Sequence, residues 1–190
     1  MSPARARTSG DEIVAAARDL LEADGLDGLT MAGVAARVGV RAPSLYKHLR
    51  DRAALVAAVA VDAADELGQV LSAADPGPDA ASIDRLTAVA VAYRAFARRS
   101  PRAVALLFGD PTAAADPPLD AARSAARPIL EIAAAIAGPD RALDAARVLT
   151  AFVHGFTAME SAGAFRLGGD PDAALRLGIA ALARGLVSAG

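Results

Sequence analysis

Apolar positions recur at helical rather than alternating spacing along this chain, and residues that start or stop helices punctuate the stripes. Ser9 followed by Glu12 has capping-box spacing, in which each side chain reaches the other residue's free backbone N–H. Ile13, Ala17, Leu20 and Leu21 form a stripe reaching to Asp24, and Gly25 is placed to stop the helix. Thr30 caps a short helix with Met31, Val34, Ala35 and Val38 on one face, ended by Gly39. A third helix over 43–49 follows closely, because proline suits a first turn, and Leu45 and Leu49 point inward on it. A fourth begins near Asp51 and continues to about Ala74, with Leu55, Val59, Ala63, Leu67 and Val70 as its stripe.

The segment "DPGPD" (75–79) interrupts the pattern with two prolines around a glycine. Beyond it, Ser82 caps a helix carrying Ile83, Leu86, Ala90, Tyr93 and Ala97 on one side, with Phe96 beside them. Ser100-Pro101 restarts a short helix to Phe108, and "GDPTAAADPP" (109–118) reads as a loop. A helix over 119–137 contains Pro128, a kink position. "GPD" (138–140) precedes a long helix through Phe165, "LGGDP" (167–171) is a loop, and a last helix reaches about Ser188. The pattern predicts an all-α fold of about nine helices, without strands or repeats. It divides into a three-helix domain over 1–50 and a larger helical domain over 51–190.

Composition agrees: hydrophobic residues make up 54 % of the chain but aromatics only 4 %, so the best helix former, alanine, carries much of the apolar content. The absence of cysteine excludes disulfides, thiolate nucleophiles and Cys-ligated zinc. With two histidines, no HExxH pair and no glycine-rich phosphate loop, an enzyme has little to work with; no catalytic residue, metal ligand or cofactor is expected. The N-terminal "MSPARARTSGDE" has no apolar segment behind its arginines, which argues against a secretory signal. The longest uncharged run, 148–159, falls short of the about 18 residues that suggest a membrane span. A cytoplasmic protein with no membrane partner is expected.

Charge changes the picture locally. The formal net charge is −2, yet across 30–52 Arg37, Arg41, Lys47, Arg50 and Arg52 oppose only Asp51. Ser44, Lys47 and His48, at i, i+3 and i+4, share a face away from the inward leucines, with Tyr46 and Arg50 flanking it. Two short helices joined by a tight glycine-containing turn, the second with a polar and cationic face, make a helix-turn-helix. Its second helix fits a DNA major groove, while Lys, Arg and hydroxyls around it grip phosphates. Tyr46 reaches a phosphate through its OH, Arg52 grips the flanking backbone, and the Thr30 cap presents helix N–H groups to phosphate. A merely solvated basic face is the plain alternative. The coincidence of charge, tight turn and hydrophobic brace favours DNA.

These residues carry a family resemblance. "LTMAGVAARVGVRAPSLYKHLRDRAALVAAV" closely resembles the DNA-binding domain of the tetracycline-repressor (TetR) family of bacterial regulators, over about residues 9–60. By position, the resemblance implies that Arg41, Ala42 and Ser44 read bases, that Thr30, Tyr46, His48 and Arg52 touch backbone, and that Lys47 does either. Arg52 replaces the lysine usual there, and Leu49 the usual aromatic. The segment "LTAFVHGFTAMESAGAF" (149–165) followed by "GGDPDAAL" resembles a C-terminal subtype with a His-Gly pair in its penultimate helix. The family implies an all-helical homodimer, paired through its last two helices, whose C-terminal domain holds a small effector and whose N-terminal domain binds a double-stranded, palindromic operator.

Tyr93, Phe96, Phe108, Phe152, Phe156, Met159 and Phe165 supply most of the large flexible or aromatic side chains beyond residue 75 and are the candidate lining of an apolar effector pocket. His154 and Glu160 are its candidate polar anchors; six residues apart, they are not a ready-made pair. Taken singly, each aromatic also reads as core, and His154 as a hydrogen-bonded structural histidine. Gly155, Gly163, Gly178 and Gly185 would allow close helix approach in a dimer bundle. The competing functions are an effector-independent DNA-binding protein and a helical interaction module without DNA binding, for which Ala42 is a poor base reader.

Overall fold

The computed structural model describes residues 9–109 and 119–188. The all-α expectation holds: the described residues form α1 (Gly10–Gly28), α2 (Met31–Arg37), α3 (Ala42–Leu45), α4 (Arg52–Ala74), α5 (Ser82–Arg99), α6 (Pro101–Phe108), α7 (Leu119–Ala137), α8 (Ala142–Ser161) and α9 (Pro171–Ser188), with one 3₁₀ turn at Pro139–Arg141. Local signals set most boundaries. Ser9 and Glu12 form the capping box, and Gly25, with φ +77, divides α1 into two helical pieces. Thr30 Oγ1 accepts the Gly33 N–H at 3.0 Å and starts α2. The predicted loop at 109–118 lies, from 110 onward, outside the described residues.

Three predicted boundaries move. The third helix is regular only over Ala42–Leu45; beyond it the Leu45 carbonyl accepts both the His48 and the Leu49 N–H, closing one tightened turn. Ser82 is the first helical residue of α5 rather than its cap, since the Ala81 carbonyl receives the Asp84 and Arg85 N–H groups. The penultimate helix stops at Ser161, not Phe165: Gly163 takes φ +67, which an L side chain resists, and turns the chain out of the helix.

The described chain forms two compact units. One contains α1, α2, α3, the first part of α4, and α6. Its core gathers the predicted stripes: Ile13, Ala17, Leu20 and Leu21 of α1, Met31, Val34 and Ala35 of α2, Leu45 of α3, and Leu55 and Val59 of α4, with Leu49 packed partly buried against them. The other contains the rest of α4, α5, most of α7, α8 and α9. There Asp75 of the "DPGPD" break accepts from Arg85 at 2.8 and 2.6 Å and from the Gly77 N–H at 3.0 Å, so a buried ion pair fixes the turn from α4 into α5. No helix among the described residues is long and apolar enough to cross a membrane.

Candidate nucleic-acid interface

Leu45 orients the candidate face. It is fully buried, while Ser44, Tyr46, Lys47 and His48 around it are exposed. Arg41 precedes α3 in extended conformation, exposed, with its carbonyl accepting the Ser44 N–H at 2.8 Å. Ala42, expected to read bases, is half-buried and packs against the core of its unit. Thr30 is exposed at the start of α2, its hydroxyl oxygen engaged as the cap.

The cations of 30–52 divide by what they touch. Arg37 stands 3.6 Å from Asp19, and Arg50 stands 3.2 Å from Asp51. Arg52, expected at a phosphate, donates through Nε to the Leu29 carbonyl at 2.8 Å and through Nη2 to the Leu26 carbonyl at 2.5 Å. It therefore fastens the start of α4 to the connection between α1 and α2. Among the described residues, Arg41 and Lys47 form no ion pair. Their charge meets solvent, where a polyanion would dock. The sequence reading also missed Asp51, whose carboxylate accepts the Ala54 N–H at 2.8 Å and caps α4.

The candidate effector residues separate. Phe108 belongs to the unit of α1 and is exposed; Met159 is also exposed, on α8. Phe96 is fully buried core, with the Arg99 guanidinium 5.4 Å from its ring centre. Phe152, Phe156 and Phe165 form a run of tilted rings with centroids 6.0 and 4.8 Å apart, and Phe152 lies over Gly178 of α9.

Tyr93 and His154 meet across α5 and α8, Tyr93 OH to His154 Nδ1 at 2.7 Å. Burial pushes the Tyr93 hydroxyl up to about 12, so it stays neutral. Glu160 accepts from Arg94 Nε at 2.6 Å and from Arg98 Nη2 at 2.8 Å, and Arg94 also donates to Asp172 of α9. The Arg94 guanidinium holds the Glu160 and Asp172 carboxyls below their ordinary values. As expected, His154 and Glu160 are not a pair; each bonds a different residue of α5. The buried Arg94 network, joining α5, α8 and α9, has no short-range sequence signal.

Two family profiles match the chain: "Bacterial regulatory proteins, tetR family" over residues 13–59, and "Tetracyclin repressor-like, C-terminal domain" over 86–182. An HTH-type transcriptional regulator of Mycobacterium tuberculosis, Rv0681, is 30 % identical over 83 % of this chain and 72 % of its own length. The class D tetracycline repressor of Escherichia coli is 39 % identical over 57 residues, which span 30 % of this chain and 26 % of that protein. A solved structure of a protein with unknown function from Rhodococcus sp. RHA1 superposes with TM-score 0.80 at 29 % identity, covering 98 % of this chain and all (100 %) of that one. A TetR variant from Acinetobacter baumannii AYE in complex with minocycline superposes at 0.68 with 24 % identity, over 94 % and 96 % of the two chains.

Proposed function

Because the chain belongs to the TetR family of bacterial DNA-binding transcriptional regulators, which are not enzymes, we propose that it is a cytoplasmic repressor that binds a palindromic operator as a homodimer and is released by a small, largely apolar effector. The observation that carries this reading is the exposed Ser44, Tyr46, Lys47 and His48 around the buried Leu45 anchor, with Arg41 beside them. Arg41 and Ser44 read base edges, and Lys47, Tyr46, His48 and Thr30 hold phosphates. Residues 1–50 form the operator-binding domain and 51–190 the effector and dimer domain.

Solvent-facing small and apolar residues support the dimer. Val148, Ala151, Gly155 and Met159 recur at helical spacing on α8, and Ala174, Leu177, Ala181 and Gly185 on α9; apart from the half-buried Gly155, all are exposed. A cofactor is not part of the proposal. Effector binding shifts the dimer to a geometry whose recognition helices no longer fit successive grooves; a coupling of ~1–3 kcal/mol changes operator affinity ~5–150-fold.

Fluorescence anisotropy against the protein's own upstream intergenic duplex and a random duplex, at two salt concentrations, tests the reading. Tight, salt-sensitive and sequence-selective binding supports it. Equal, weak binding to both duplexes favours the interaction module.

A further inference from the structure

Thr157 carries a hydroxyl that the fold buries without a partner. The residue is only 2 % exposed, and Oγ1 makes no hydrogen bond to the protein. It stands one turn after His154 and one turn before Glu160 on α8. Those two lie about 120° apart around a helix axis, with the intervening position midway between them. His154 meets Tyr93 and Glu160 meets Arg94, neighbours on α5. Thr157 is therefore centred on the side of α8 that faces α5, bracketed by two satisfied polar pairs and itself unsatisfied.

A buried threonine in a helix ordinarily satisfies its hydroxyl, because a buried polar group left unpaired forfeits its hydration with nothing in return. We propose that Tyr93, His154 and Thr157 form a polar anchor for an uncharged hydrogen-bonding group, a carbonyl or hydroxyl, on an otherwise apolar ligand. This rests on the effector reading above and narrows its chemistry. An ionised ligand is disfavoured because Arg94 and Arg98, the cations nearest in sequence to Tyr93, are already engaged by Glu160. Phe152 does not contribute, being packed on the α9 side against Gly178.

The test uses the full chain and a matched pair of probes, acetophenone and α-methylstyrene, which share a shape and differ in C=O against C=CH₂. Titration calorimetry on the wild type is expected to show about a tenfold preference for the ketone. Thr157→Val, which keeps the volume, is expected to abolish that preference and to raise Tm by about 2–4 °C by removing the unsatisfied hydroxyl. Thr157→Ser should keep the preference. A wild type that binds the ketone no better than the hydrocarbon, or a Thr157→Val that lowers Tm, overturns the anchor. Operator binding by the wild type is scored separately. Its failure with the ketone preference intact refutes the regulator and not the anchor, and the reverse result refutes the anchor alone.

Discussion

Glu22 and Arg102 cap each other's helices. The Glu22 carboxylate accepts the backbone N–H groups of Arg102 at 3.2 Å and Ala103 at 2.7 Å, in the first turn of α6, where the Ser100 side chain makes no capping bond. In return the Arg102 guanidinium donates to the Glu22 carbonyl at 2.9 Å and the Leu21 carbonyl at 3.4 Å, just ahead of the break at Gly25. Each side chain supplies what a helix end lacks: an acceptor for free N–H groups and a donor for free carbonyls.

Removing either partner strands the same helix ends. Glu22→Ala and Arg102→Ala are each expected to cost about 0.5–2 kcal/mol, in the range of lost caps. The double variant should cost less than the sum, with a coupling of about 0.5–3 kcal/mol. Urea denaturation of the four proteins checks this. Strict additivity would show that the two caps act independently.

Arg52 has a different test because it braces the fold. Arg52→Ala removes the side-chain donor from the Leu29 carbonyl and leaves the Leu26 carbonyl with the Leu29 N–H alone, and is expected to cost about 1–3 kcal/mol of stability. Arg52→Lys keeps the charge but not the fork that serves both carbonyls. It should therefore lose stability and retain the salt dependence of DNA binding, whereas Arg52→Ala loses stability and weakens operator and random DNA alike. A fully stable Arg52→Ala would return the residue to a pure phosphate contact.

Arg41→Ala and Ser44→Ala should relax preference at particular base pairs, by about 1–3 kcal/mol for a bidentate contact. Lys47→Ala should weaken all sequences and reduce the salt slope by about 1. Anisotropy against operator duplexes with single base changes separates the two patterns. Uniform losses for all three variants would sink the division into base readers and phosphate grips.

Asp75 and Arg85 link stability to pH. Arg85 holds the Asp75 carboxyl below its ordinary 3.8, and burial opposes it with the smaller effect. A carboxyl depressed in the folded state stabilises fully above its unfolded value, and that contribution disappears as pH falls through the folded one. The loss thus falls below about pH 4, on the acid side, where Glu160 and Asp172 act with the same sign. Asp75→Asn should cost about 3–5 kcal/mol at neutral pH by leaving Arg85 buried and unpaired, and should flatten the acid limb of urea midpoints measured from pH 3 to 7. An unchanged acid limb would assign it to other carboxylates.

How much was legible depended on the range of the interaction. The Ser9–Glu12 box, the Thr30 cap and the stop at Gly25 act within a few residues, so spacing alone places them. The exposed face around Leu45 follows equally from helical period. Glu22 with Arg102, 80 residues apart, and Arg94 with Glu160, 66 apart, leave no periodic trace; only the packing of helices brings them together. The charge of Arg52 is visible in sequence, whereas its carbonyl partners Leu26 and Leu29, 26 and 23 residues away, are not. Met159 lies exposed on α8, because a helical stripe marks a shared side without saying whether another helix covers it. Gly163, taken as part of a helix, ends one.

The glycines of α8 and α9 make the last prediction, because two close-packed alternatives give opposite signs. A Cβ at Gly178 would stand 2.1 Å from Phe152 Cζ, so Gly178→Ala must push the ring from its place against Phe156. Overpacking of about 1–3 kcal/mol then outweighs the about 1 kcal/mol that alanine gains in a helix, and the variant is destabilised. Phe152→Leu should partly rescue it. At Gly155 and Gly185 a Cβ meets nothing within 4 Å in this chain, so alanine there should stabilise the single chain. If α8 and α9 pair with a second copy, the same substitutions press on the partner and weaken the dimer. Sedimentation at several concentrations alongside thermal unfolding reads both effects. Stabilisation with unchanged dimer affinity at both positions would move the dimer interface away from these two helices.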